Sequence, residues 1–242
     1  MKVWEIAVLI ACGATGLLSA LAADGADIDP NAHWSGTESG IQRIENDAVL
    51  LEIDRDHGTF LRLLDKAGGI DLAPPREMAE NFRLLIPTSA NPKNLLLGRK
   101  QKLSGMSLDG QTLGLEWKRP LVDEQGNSHN IDVSMRVSLK PAGIEVDCSL
   151  QNDSNDSVEE VCYPMLGGIL GMDGQDGRAK VSLMPPPHDA KSFVRPFGEY
   201  AVGYPGNNMS FVDLATTAHG RGLYFGAHDP IARYKQFRFI EV

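Results

Sequence analysis

From Ile41 to the end of the chain, apolar and polar residues alternate in short runs cut by turn-forming residues, and hardly any window carries a helical period. Such runs suit strands that bury one face and solvate the other. Residues 48–54 and 59–64 flank the turn Asp56-His57-Gly58, and Asp65-Lys66-Ala67-Gly68-Gly69 closes that unit. Residues 81–86 form a further run that stops at Pro87. Residues 103–108 and 113–117 flank Asp109-Gly110, a dipeptide suited to a tight hairpin. Residues 130–139 and 142–150 meet at Lys140-Pro141, and runs at 158–163, 181–184, 209–216, 222–227 and 234–242 complete the set. Many short strands spaced by turns predict an all-β domain over residues 41–242, a large two-sheet antiparallel sandwich. With 242 residues, 42% of them hydrophobic, the chain can bury a core without a metal or a disulfide.

The front of the chain breaks the pattern. Lys2 precedes an apolar or small run over residues 6–21, and Ala20-Leu21-Ala22 stands just before Asp24. These features predict a signal peptide helix over residues 1–22, cut after Ala22, and a linker over residues 23–40 whose bulky residue is Trp34. Gly13, Thr15, Gly16 and Ser19 dilute the run below the ~20 apolar residues of a bilayer crossing, so no membrane span is expected after cleavage. The expected location is periplasmic or extracellular. Leu9-Ile10-Ala11-Cys12 offers the alternative of a lipoprotein anchored at Cys12, although the apolar run before that cysteine is very short. A formal charge of -9 argues against nucleic acid and anionic lipid as partners and suits a neutral ligand.

Cleavage would leave Cys148 and Cys162. Alternation puts Cys148 on a buried face, and a polar turn over residues 152–157 would bring Cys162 nearly opposite it. Adjacent strands accommodate a bridge with difficulty, so two reduced thiols are the expectation. Two cysteines do not make a zinc site.

Residues 184–208 read as one long loop rich in proline, glycine and aromatics, and loops of that length are usually functional or disordered. The run over residues 236–242 reads as a strand interior, as in the front part of a longer protein.

Three stretches carry a resemblance. Residues 44–53, followed by Gly58 and Asp65-Lys66, resemble the opening hairpin of galactose-mutarotase-like β-supersandwich domains. Residues 143–164, with Asn152 and Tyr163-Pro164, are similar to their central strand pair, and residues 221–230 to a late strand of bacterial glycoside-hydrolase-like proteins. The resemblance implies a secreted, carbohydrate-active protein in which such a sandwich precedes a catalytic (β/α) barrel. The barrel would then carry most of the catalytic carboxylates.

The chemistry candidates are modest. Glycoside cleavage needs two carboxylates in contrasting environments. The adjacent acids Asp123-Glu124 and Glu159-Glu160 read as solvated surface, since neighbours on a strand point to opposite faces. His228 with Asp229, and His188 in the long loop, are the candidates for a base or for contacts to sugar hydroxyls. Tyr200, Tyr204 and Phe197, with Arg195, are candidates for a sugar platform, or else they pin the loop to the sandwich. Asn-x-Ser matches near Asn152, Asn155 and Asn208 are chance in a chain with a bacterial-type signal. Gly167-Gly168 and Gly171 lack the strand-to-helix context of a nucleotide loop, so no cofactor is expected. The leading expectation is an accessory, non-catalytic carbohydrate domain. The alternatives are a stand-alone epimerase or lyase using a His with an acid, and a surface glycan-binding protein.

Overall fold

The computed structural model describes residues 3–14, 33–34, 40–141, 143–168, 181–184, 192–193, 199–204, 210–216, 221–228 and 233–240. In chain order the first strands are β1 (Val3–Ala14), β2 (His33–Trp34), β3 (Ile41–Glu45), β4 (Val49–Asp54), β5 (Phe60–Asp65) and β6 (Asp71–Leu72). Then follow β7 (Arg83–Leu85), β8 (Leu95–Leu97), β9 (Gly105–Asp109), β10 (Thr112–Trp117), β11 (Leu121–Val122) and β12 (Ser128–His129). The long pair β13 (Ile131–Lys140) and β14 (Gly143–Asn152) comes next, then β15 (Glu160–Cys162), β16 (Val181–Met184) and β17 (Ser192–Phe193). The last are β18 (Glu199–Tyr204), β19 (Phe211–Thr216), β20 (Arg221–His228) and β21 (Lys235–Ile240). Single 3-10 turns stand at Arg76–Met78 and Gly98–Lys100.

The fold is all-β, as the alternation predicts. A nine-stranded sheet has the order β17-β16-β19-β20-β1-β14-β13-β10-β9, and a five-stranded sheet the order β2-β3-β4-β5-β6. Smaller sheets are β15-β7-β8, β11-β12 and β18-β21. The pairings are antiparallel throughout.

The cause is visible in β13, where Ile131, Val133, Met135, Val137 and Leu139 are buried and every residue between them is more exposed. Its neighbour β14 buries Ile144, Val146, Cys148 and Leu150, and the register sets Met135 opposite Cys148 and Val137 opposite Val146. A one-residue slip would turn both apolar rows to solvent, which fixes the register. These rows pack with Leu51, Ile53 and Phe60 of the five-stranded sheet, Leu84 and Leu96 of β7 and β8, and Leu223 and Phe225 of β20 in one core. Trp117 is fully buried and meets Phe82 edge-on at 4.9 Å.

The structure corrects the expectation at the N-terminus. Instead of a signal peptide helix, Val3–Ala14 is a strand between β14 and β20. An unbroken apolar run does not by itself separate helix from buried strand, and Val3, Ile6, Val8 and Ile10 are β-branched, which favours the extended form. Trp34, placed in the linker by sequence, pairs with Ile44. Inside the stretch taken as one long loop, β17 and β18 are strands. Cys148 and Cys162 are both free, and they do not face each other, because β15 pairs with β7 and not with β14.

Candidate functional site

The turn from β4 to β5 is where polar groups gather. Asp54 ends β4, and its Oδ1 accepts hydrogen bonds from the amides of Asp56 and His57, both at 2.8 Å. The Gly58 amide bonds the Asp54 carbonyl at 2.9 Å, and the Asp54 amide bonds the Thr59 carbonyl at 3.0 Å. An aspartate is favoured at such a place because its side chain satisfies amides that the ladder leaves free. Gly58 is obligatory here. Its φ is +70°, and a Cβ would stand 2.5 Å from a ring carbon of Trp117. The core fixes the turn from beneath, since the His57 carbonyl accepts from Trp117 Nε1 at 3.1 Å and from Asn81 Nδ2 at 2.8 Å.

Two further segments complete a cleft of about 330 Å³ lined by Asp54, Asp56, His57, Thr59, Arg76, Glu77, Ala79 and Arg99. Arg76, from the first 3-10 turn, donates to Asp54 Oδ2 at 2.6 Å. Arg99, from the second, approaches Glu80 Oε1 at 3.2 Å. Burial pushes the Asp54 carboxyl up, but the Arg76 guanidinium and the two turn amides outweigh it and hold it below the usual carboxylate range. Glu80 shows the opposite balance. Burial raises it above the usual range despite Arg99 and Arg83, and its Oε2 has no hydrogen-bond partner among the described residues.

The arrangement suits recognition better than proton transfer. His57 is half-exposed and its Nδ1 stands 3.4 Å from Asp54 Oδ1. That oxygen already accepts two amides, and Oδ2 holds Arg76, so the carboxylate is occupied by the turn and the ion pair. The cleft is lined by the cations Arg76 and Arg99, the carboxylates Asp54, Asp56 and Glu77, and His57. A cleft of mixed charge with many donors and acceptors fits a neutral ligand dense in hydroxyls.

A second polar cluster is largely buried. His129, 3% exposed, stands between Asp123 Oδ2 (3.0 Å from Nε2) and Asp156 Oδ2 (2.9 Å from Nδ1). Asn94 and Asn127 also donate to Asp123, at 2.7 and 3.0 Å. Asp123, expected to be solvated surface, is therefore a buried hub that ties the β11-β12 hairpin to the loop before β8.

The residues singled out by sequence stand elsewhere. His228 is exposed at the end of β20, with Ala7 as its partner in the ladder. Tyr200 and Tyr204 lie on β18, opposite Phe239 and Lys235, and Lys235 Nζ is 5.2 Å from the centre of the Tyr204 ring. His228 is thus in the nine-stranded sheet and the two tyrosines in the β18-β21 ribbon. Asp229, His188, Arg195 and Phe197 lie outside the described residues. Of the acid pairs, Glu160 is bound by Arg238 at 3.1 Å. The cleft residues His57, Arg76 and Arg99 were not among the sequence candidates. Asp56-His57-Gly58 read as a turn, and nothing in its spacing shows which arginines the packing brings to it.

The chain matches no protein-family model and no curated protein.

Proposed function

We propose that this chain is a carbohydrate-associated β-sandwich domain of an exported protein, and that the Asp54–His57–Arg76–Arg99 cleft binds a neutral sugar. The observation that carries the reading is the mixed-charge cleft on a rigid turn. Sugar hydroxyls donate and accept at once, so they pair well with carboxylates and guanidinium groups set side by side. The net charge of -9 agrees with a neutral ligand. Tyr200 and Tyr204 remain candidates for stacking at a separate place.

Binding without turnover is favoured over an epimerase or lyase using His57, because the Asp54 carboxylate that would activate His57 is held by the turn and by Arg76. An accessory role in front of a catalytic barrel has less support. Among the described residues the large exposed hydrophobics are Met78, Val122 and Tyr234, which do not make a docking face.

The test is calorimetric titration of the full chain with a panel of neutral oligosaccharides. A binder should be found, and His57→Ala and Asp56→Ala should each weaken it roughly tenfold or more, the scale of a lost charge-assisted hydrogen bond. Both side chains are exposed enough to change without unfolding the turn. Unchanged affinity in both variants would remove the cleft from the reading, and sugar turnover lost in His57→Ala would favour the enzyme alternative.

A further inference from the structure

The nine-stranded sheet contains a seam. β1 is antiparallel to β14 on one side and to β20 on the other, so β14 and β20 run parallel to each other with one strand between them. Within β1, Val8 stands opposite Val146 and Ala227, and Ile10 opposite Ile144 and Phe225. Those partners are all core residues. The slot therefore takes a strand with apolar residues at every second position, running antiparallel to both walls.

Its occupant is the segment whose sequence reads as a leader cut after Ala22. Removal of residues 1–22 would leave two inner strands with facing rows of unpaired N–H and C=O groups, a costly state for a buried seam. The structure holds a second segment suited to the slot. β21 follows β20 after residues 229–234 alone, and a strand that follows another through a short connection lies beside it and runs antiparallel. That is the direction β1 has in the slot. Here β21 pairs instead with β18, in a ribbon separate from the main sheets, and two-stranded ribbons are marginal by themselves. Along β21, Phe237 and Phe239 alternate with the polar Gln236 and Arg238, and Phe237 already packs against the core while Gln236 and Arg238 are exposed.

We propose that β1 is a placeholder strand: when residues 1–22 are removed, β21 leaves β18 and takes the place between β14 and β20. Six residues long, β21 would pair part of the seam on both sides and keep an apolar row on its core face. It depends on removal of the leader and is independent of the sugar cleft.

The experiment is made on the full chain, with a protease recognition sequence in place of residues 24–30. The folded protein is cut, the released peptide is separated, and amide hydrogen exchange is compared before and after. The exchange reading expects residues 143–147, 223–228 and 235–240 to stay protected, while residues 199–204, which lose their partner, exchange at least tenfold faster. Continued protection of residues 199–204 with fast exchange at 143–152 and 221–228 would mean an open slot and overturns the proposal. So would a cut peptide that stays bound, a dimer by sedimentation (a second copy filling the slot), or fast exchange that extends to residues 49–54 of the other sheet. The mass of the protein from its native host, starting at Ala23 or not, reports separately whether the leader is removed. A negative glycan titration leaves this result intact.

Discussion

His129 Nε2 and Asp123 Oδ2 stand 3.0 Å apart in the interior, while the other ring nitrogen of His129 faces Asp156 at 2.9 Å. A neutral imidazole has one N–H and can donate to only one of two carboxylates, whereas the imidazolium donates to both. His129 therefore joins β12, the β11-β12 turn and the loop after β14.

Acid should loosen this cluster. Burial alone would push the Asp123 carboxyl up, but the bonds from His129, Asn127 and Asn94 outweigh it and hold it far below the usual range. A carboxylate depressed in the folded state stabilises the fold fully above the unfolded value, about 4, and the contribution disappears as pH falls through the folded value. Asp123→Asn is expected to cost about 1.5–3 kcal/mol at neutral pH, the scale of hydrogen bonds to a charged group. Urea unfolding of both proteins should show that gap at pH 7 and a smaller gap below pH ~4.

Gly58→Ala should be far more damaging than Gly110→Ala, although both glycines have positive φ. At Gly110 a Cβ meets nothing within 4 Å, so only the backbone preference is lost, about 1 kcal/mol. At Gly58 the Cβ also meets the Trp117 ring at 2.5 Å, and the total should reach about 2–4 kcal/mol. Chemical denaturation followed by tryptophan fluorescence measures both.

Arg76→Gln should move the Asp54 carboxyl upward, because the guanidinium is the largest of the influences that lower it. Carbon-detected NMR titration of Asp54 reads the change directly. Asp54 is depressed in the intact chain, so its stabilisation is present above the ordinary carboxylate value and is lost as pH falls through the folded one. In the variant that contribution should be smaller, and its loss should be complete at a higher pH.

Cys148 should be inert in the folded protein. Burial, with Asp147 beside it, pushes its thiol up to about 12, so almost no thiolate exists at pH 8. Cys162 is also raised, by burial and by Glu160, but it is only half-buried. Peptide mapping after treatment with iodoacetamide should show slow modification of Cys162, and modification of Cys148 only in denaturant.

How far the fold was legible in sequence depended on strand length. The runs at β13 and β14 are long enough for alternation to stand out, and their bounds agree with the structure to within a residue or two. β6, β11 and β12 are each two residues long and carry no period at all. Val3–Ala14 is a strand where the sequence reads as a leader helix, because an apolar run suits both. The cleft was less legible than the fold. Asp54 and His57 lie in one turn, but Arg76 and Arg99 reach it from the 3-10 turns, and long-range packing leaves no local mark. Asp123 was misread for the same reason: its partners His129 and Asn94 come from other segments.

The seam at β1 sets an order on assembly. Its ladder with β14 needs residues up to 151, but its ladder with β20 needs residues up to 228. During synthesis β1 is therefore made long before β20, its second neighbour. Between the two pairings it keeps one open edge. A strand at the front of the described chain thus waits for a partner near its other end before both of its edges are paired.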